Sequence, residues 1–556
     1  MRTEAFDIRL STGYTPPMQS QPWLEFYDPG VPANLTYPDI PVFHFLDEAA
    51  RRFPERPCTI FKEAVTTYRE MGLATDRLAG ALSGLGVRRG DRVGLFLPNV
   101  PQFVLAYFAI LKAGGVVVAT NPSYTPPEIE HQVNDAGLQV MFVMGTAYGK
   151  LKAVQPRTGI RTLIVAGADE PATLEAGDAR LEELLALSVP RPDLVIGPDD
   201  TALFQYSGGT TGISKAAVAL HRNLVANTLQ FKAWMVGLEA GRETALLAIP
   251  MYHVYGMVCG MSLSMALGAS LLLIPNPRDL NDLLAGVQKY HPTYFPAVPT
   301  LYNAINNHPD VQAGKVDLSS IKACISGSAP LMKETKEKFE ALTGGKICEG
   351  YGLSEAPTAT HCNPLLGPNK IGSIGLPLPD VDCRIVDVEG GQADLPTGEV
   401  GELLLRGPQV MKGYHRMPEE TALTLQDGWL HTGDLARMDA EGYFYIIDRK
   451  KELIKPDGLQ VWPREVEEAI SAHPKVQEVG VAGVPDEYHG EAVKAWVVVR
   501  PGERLGEEEV RAWCQDRLAP YKIPSRVEFR SELPKTNVGK VLRRELVRED
   551  KEKNKK

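Results

Sequence analysis

The chain is predicted to be α/β: a large N-terminal domain of parallel βαβ subdomains, a small antiparallel β subdomain, and a small α+β domain at the C-terminal end. Three observations predict this. Over the first four-fifths, short apolar runs alternate with helix-length segments, the pattern of a parallel sheet with crossovers. From about 372 to 445 the pattern changes to short strands between glycine turns. After 448, about a hundred residues carry helix and strand signals of their own, which is the size of a small domain. At 556 residues the chain exceeds what one core fills, so more than one domain is expected.

Taken in order, the N-terminus holds Arg2, Glu4, Asp7, Pro16 and Pro17 without an apolar run, so no signal peptide is expected. A βαβ unit follows: a strand at 92–97, a helix at about 101–112, a stop at Gly114-Gly115 and a strand at 116–119. Residues 202–206 read as a short buried strand. No Asp, Glu, Lys or Arg occurs from 246 to 275, long enough for a membrane span. His253, Pro250 and the glycines and serines break it, so it reads as a buried helix followed by a strand at 271–274. Strands are expected at 401–407 and 442–447. The charged stretch 448–458 ends in a Pro-Asp-Gly turn and marks a boundary, giving a domain at 1–447, a connecting segment at 448–455 and a domain at 456–556. In the last, helices are expected at 463–472 and 507–518 and strands at 476–481 and 493–499. The Lys-rich last eight residues read as disordered.

Composition is that of an ordinary globular protein, 44% hydrophobic and 23% charged. A net charge of −10 argues against nucleic-acid binding, which needs a basic face. The seven cysteines, at 58, 259, 324, 348, 362, 383 and 514, form no CxxC pair and no metal-ligand spacing. They read as reduced thiols of a cytoplasmic protein, most of them core filler.

The segment with the clearest chemistry is Tyr206-Ser-Gly-Gly-Thr-Thr-Gly-Ile-Ser-Lys215. Gly208, Gly209 and Gly212 let the backbone turn tightly and aim N–H groups at one anion. Ser207, Thr210 and Thr211 add hydroxyl donors, and Lys215 adds a point charge. Leaving the end of a strand, such a loop is built for phosphate; a ligand-free surface turn is the plain alternative. It is not a P-loop, which requires Gly-Lys-Ser/Thr four residues after its first glycine: Ser214 and Ala216 stand in two of the required places.

Five further segments follow: Ser326-Gly-Ser-Ala-Pro330, Glu349-Gly-Tyr-Gly-Leu-Ser-Glu355, Thr432-Gly-Asp434, the stretch from Asp448, and Leu533-Pro-Lys-Thr-Asn-Val-Gly-Lys540. With the loop at 206, this ordered set resembles the adenylate-forming superfamily of acyl-CoA synthetases, firefly luciferases and peptide-synthetase adenylation domains. The resemblance runs from about 41 to 545. It is closest to bacterial long-chain fatty-acid CoA ligases, through Ser207-Gly-Gly-Thr, Asn121-Pro-Ser-Tyr-Thr-Pro126 and the ending from Lys535 to Arg544.

The resemblance implies a two-step reaction: acyl-AMP and pyrophosphate from ATP and a fatty acid, then a thioester with coenzyme A. It implies that Glu355 holds magnesium beside Ser354, which stands where many relatives have threonine. It implies that Tyr351 stacks on adenine, with Gly327, Ser328 and Ala329 on the other side and Glu349, Gly350 and Gly352 in the same nucleotide set. Asp434 is suited to accept both ribose hydroxyls, since an ionised carboxylate only accepts, and Arg449 touches the same sugar. Lys540, in a glycine-flanked loop, bridges the substrate carboxylate and the α-phosphate, whereas Lys535 reads as solvated. The small domain is mobile about Lys451, and Lys455, Gly458 and Gln460 line the coenzyme A channel. His253, Val298 and Gly327 lie at the acyl pocket, although a lone histidine on an apolar segment is commonly a satisfied core residue. Val254 stands where peptide-synthetase domains keep an aspartate, which disfavours an amino-acid substrate. The chain departs from the commoner superfamily pattern at Val538 and at Ile213-Ser214, neither of which removes a catalytic group. Two competing readings stay open, an aryl-acid ligase of the 4-coumarate type and a membrane-associated fatty-acid carrier. Peripheral contact with the inner membrane face and a homodimer are likewise left open.

Overall fold

Two large sheets with parallel centres fill the N-terminal part of the computed structural model, which describes residues 21–167, 173–206, 214–388, 390–391, 393–459, 461–486, 488, 490–535 and 541–553. The eight-stranded sheet runs Gly413–Tyr414, Ala216–Leu220, Thr201–Tyr206, Val116–Ala119, Arg92–Phe96, Val140–Met144, Thr162–Ala166, Ala179–Arg180. Its centre is parallel, and Ala216–Leu220 turns back antiparallel on Thr201–Tyr206. The nine-stranded sheet runs Leu376–Pro377, Ala356–Cys362, Lys346–Leu353, Ala323–Ser326, Tyr294–Ala297, Thr244–Leu247, Ser270–Leu273, Pro57–Phe61, Ala64–Thr67. Its five middle junctions are parallel and both ends are antiparallel.

The expected βαβ unit is present. Pro101 opens the helix Pro101–Lys112 at a position where its missing N–H costs nothing. Residues 103–112 of this helix are all buried, so it lies inside the fold rather than on its surface. Even Lys112 is enclosed, and its ammonium pairs with Asp47 at 2.6 Å and Asp76 at 2.8 Å. All seven cysteines are buried and free.

The uncharged run resolves into three pieces. The strand Thr244–Leu247 begins just before it, a π-helix Tyr255–Ser262 continues into the α-helix Leu263–Leu267, and the strand Ser270–Leu273 closes it. Every residue of the π-helix is buried. Among the described residues no helix is long and apolar enough to cross a membrane.

The antiparallel subdomain is a five-stranded sheet of Asp382–Val386, Gly401–Arg406, Trp429–Met438, Leu425–Gln426 and Phe444–Arg449. Its last strand reaches Arg449. The C-terminal unit has a three-stranded sheet, Val476–Asp486 antiparallel to Gly490–Val499 and Arg526–Arg530 parallel to the latter, against the helices Pro463–Ser471, Glu507–Gln515 and Arg543–Lys553. Three expectations are corrected here. The hairpin strands run to Asp486 and from Gly490, longer at the turn than 476–481 and 493–499. The final stretch is not wholly disordered: Arg543–Lys553 is helical into it, with Leu546 and Asp550 buried; residues 554–556 lie outside the described residues. The second helix also stops at Gln515 rather than 518.

Candidate active site

The candidate site lies where strands end and change partners. Ser326 and Glu349 are the last parallel pair of their strands; two residues on, Tyr351 pairs antiparallel with His361. Open α/β sheets bind ligands at such carboxyl ends. Gly352 allows the turn: a Cβ there would lie 1.6 Å from the Thr358 carbonyl oxygen. Ser328, in the loop Gly327-Ser328-Ala329 after the neighbouring strand, takes a left-handed φ of 73°.

Asp434 is the anchor of one side. The register of Trp429–Met438 against Phe444–Arg449 sets Asp434 opposite Arg449, and Arg449 Nε lies 3.1 Å from Asp434 Oδ1. The Tyr351 hydroxyl donates to Asp434 Oδ2 at 2.5 Å. Asp434 itself is 4% exposed, and its N–H donates to the Thr432 hydroxyl at 3.0 Å. Burial, then the charge of Asp434, pushes the Tyr351 hydroxyl far above its ordinary range. Burial is the largest influence and opposes the charge on Arg449, but Asp434, Tyr351, Glu452 and Glu355 together outweigh it and raise its pKa.

Glu355 and Lys215 form the other side. Glu355 lies in the turn that Ser354 opens, and its Oε1 accepts from the Tyr414 hydroxyl at 2.7 Å. Lys215 pairs with Glu420, and its ammonium lies 5.4 Å from the centre of the Tyr414 ring. Lys451, in the turn Lys450–Glu452, has its pKa lowered by partial burial, then by Arg449 and, further down, Lys215. Three cations and the carboxylates of Asp434, Glu355 and Glu452 thus share one field.

His253 follows the turn Pro250-Met251-Tyr252, and its Nδ1 accepts the Tyr255 N–H at 3.2 Å. Burial lowers its pKa to about 4, so near neutral pH the ring is uncharged and Nε2 carries the proton. Tyr255 holds the three expected acyl-site residues in one place. Its hydroxyl donates to Ala297 O at 3.0 Å, next to Val298, and to Ile325 O at 2.7 Å, and its ring would stand 3.4 Å from a Cβ on Gly327.

The structure therefore brings together Tyr351, Asp434 and Arg449, and separately Glu355 and Lys215. Glu349 is buried, and its Oε1 accepts the Leu331 N–H at 3.2 Å; burial pushes its carboxyl up to about 7. Gly350 packs against the His361 carbonyl. Lys455 is exposed and its N–H donates to Glu491, and Gly458 closes the turn Pro456–Gly458. Ser207, Gly208, Gly209, Thr210, Thr211, Gly212, Gln460 and Lys540 lie outside the described residues. Tyr255, Tyr414 and Glu420 escaped the sequence reading. Each acts through a residue far away in the chain, and none sits in a segment with its own motif.

A family profile described as "AMP-binding enzyme" matches residues 46–415, and one described as "AMP-binding enzyme C-terminal domain" matches 465–540. A long-chain-fatty-acid CoA ligase of Bacillus subtilis (strain 168) is 42% identical, with 96% of this chain and 99% of the relative covered. One of Yersinia pestis is 39% identical, covering 94% and 97%. Among solved structures, the anthranilate CoA ligase AuaEII in complex with anthranoyl-AMP superposes with a TM-score of 0.84 at 26% identity, covering 94% and 99%. ATP-bound MatB from Rhodopseudomonas palustris superposes with a TM-score of 0.82 at 30% identity, covering 92% and 99%. With both profiles matched in order and likeness extending over nearly its whole length, the chain belongs to the AMP-binding, adenylate-forming enzyme family.

Proposed function

We propose that the chain is a fatty-acid CoA ligase acting in two steps. The fatty-acid carboxylate attacks the α-phosphate of ATP, forming acyl-AMP and releasing pyrophosphate. The thiol of coenzyme A then attacks the acyl carbon, forming the thioester, releasing AMP and giving up its proton. The observation that carries this reading is the likeness to fatty-acid ligases along nearly the entire chain. The site supports it. Asp434 offers a carboxylate to ribose hydroxyls, with Arg449 beside it, and Tyr351 offers a ring whose hydroxyl is already fixed. Lys215 and Lys540 meet phosphate, and the neutral His253 and the wall at Tyr255, Val298 and Gly327 receive the acyl group. Lys451 serves as the hinge of the small domain, and Lys455, Gly458 and Gln460 line the coenzyme A channel.

Magnesium fits the donors present. Its sites take one or two carboxylates and complete their shell with water and substrate phosphate, and Glu355, with the Ser354 hydroxyl beside it, is a hard oxygen donor of that kind. When bound, the ion supplies charge neutralisation at the phosphates. Tyr414 restricts how the Glu355 carboxylate can turn.

Two experiments test the reading. Burying one CH₂ contributes about 0.8 kcal/mol, roughly fourfold in binding, so carboxylate-dependent ATP–pyrophosphate exchange is expected to rise with acyl chain length and to exceed the rate with cinnamate. Exchange with cinnamate but not palmitate makes the enzyme an aryl-acid ligase. The second is Lys540→Ala, expected to slow adenylation by about 10² or more, the cost of a lost oxyanion donor. Thioester formation from supplied acyl-AMP should survive. An equal fall in both steps removes Lys540 from the first.

A further inference from the structure

Apart from the Tyr414 hydroxyl on Glu355, the segment 411–421 has no part in the reaction as described, yet it joins Glu355, proposed to hold magnesium, to Lys215, proposed to meet phosphate. Gly413–Tyr414 is an edge strand paired with Val218 and Ala217, in the strand that follows Lys215. Lys412 and His415 extend this contact by donating their N–H groups to Val218 O and Ala216 O, each at 2.9 Å. Facing the other way, the Met411 N–H donates to Glu355 O at 2.8 Å, and the Tyr414 hydroxyl holds the Glu355 carboxylate. The helix Pro418–Thr424 then folds back onto the strand, where the Thr421 hydroxyl accepts the Tyr414 N–H at 2.9 Å and donates to Met417 O at 2.8 Å. Docked in this way, the helix carries Glu420 to Lys215.

An ion pair with side chains 29% and 45% exposed adds little to stability. Its effect falls on ligand binding. An ammonium already facing a carboxylate must be taken from it, or shared with it, before it serves a phosphate. That carboxylate would also stand beside the incoming negative charge.

We propose that Glu420 is a positioning residue of the nucleotide site: it holds the Lys215 ammonium over the Tyr414 ring while the site is empty and gives it up to the phosphates of ATP. This rests on the reading that Lys215 serves ATP. The test is ATP binding without fatty acid, followed by calorimetry on the full chain in a double-mutant cycle. Glu420→Gln, which keeps the shape and removes the charge, is expected to tighten the ATP Kd about three- to fivefold, the scale of an exposed ion pair, and to leave fatty-acid binding unchanged. In a Lys215→Ala background the same change is expected to do nothing, since coupled pairs are non-additive. Unchanged or weaker ATP binding in Glu420→Gln, or an equal gain without Lys215, overturns the inference while the function stands, provided Lys215→Ala alone weakens ATP binding. If Lys215→Ala alone leaves ATP binding intact, Lys215 has no place at the nucleotide, and the inference falls together with that assignment.

Discussion

Asp434→Ala is expected to lower kcat/KM for ATP by roughly 10²–10⁴, because on the proposed function two ribose hydroxyls lose their acceptor and hydrogen bonds to a charged group contribute about 1.5–3 kcal/mol each. The damage extends to the residues that carboxylate holds. The Tyr351 hydroxyl, donated at 2.5 Å, is left without its acceptor in a buried place. Arg449 loses its counter-ion at 3.1 Å. Asp434→Asn is expected to do little better, since an amide turned one way presents N–H groups to a guanidinium. Because the sugar is held throughout, both half-reactions should fall when each is measured alone, the second with supplied acyl-AMP. An ATP affinity equal to that of the unaltered enzyme excludes Asp434 as the ribose anchor.

Arg543→Ala is expected to have the largest effect on stability. Arg543 Nη1 lies 3.1 Å from Asp448, its Nη2 lies 2.6 Å from Glu467, and it also pairs with Glu452. The side chains of these four residues are between 2% and 19% exposed. Removing this cation takes a direct partner from three enclosed carboxylates, and breaking a buried pair from one side costs about 3–5 kcal/mol. Burial already raises the pKa of Glu467, with Arg543 the main opposing influence. Arg543→Lys should recover part of the loss, since an ammonium cannot reproduce the guanidinium fork. A chain of several units need not unfold in one step, so the measurement is hydrogen exchange on the intact protein. Exchange should accelerate in Pro463–Ser471 and Arg543–Lys553 and remain unchanged in Pro101–Lys112. Equal protection in all three would show that the network contributes nothing net.

How much could be read beforehand depended on how local the determinants were. The helix at 101–112 was legible to the residue because Pro101 starts it and Gly114-Gly115 follow its end. The hairpin at 476–499 was read short because Gly483, Pro485 and Asp486 look like a turn. Pro485 is tolerated because Val476–Asp486 is an edge strand of its sheet, and edge position is a property of the sheet as a whole. The final helix was missed because its polar composition hides the buried Leu546 and an ion pair between Asp550 and Lys494. The same division holds at the site. Asp434, Tyr351 and Glu355 stand in segments recognisable by order and spacing, but the pairing of Asp434 with Arg449 is a strand register. Lys215 and Glu420 are 205 positions apart, and no local pattern couples them.

The π-helix Tyr255–Ser262 gives the acyl wall an unusual sensitivity to chain length. A π-turn holds one residue more than the α-turn it replaces. Deleting a single residue inside it would let the segment close as ordinary α-helix, with the extra residue of the π-turn lost and little rotation of the side chains beyond it. Tyr255 would keep its grip on Ala297 and Ile325 while the buried segment that follows it narrowed by one side chain. A one-codon deletion there is expected to reshape the wall proposed for the acyl group by removing one side chain together with the bulge that held it, which a substitution cannot do.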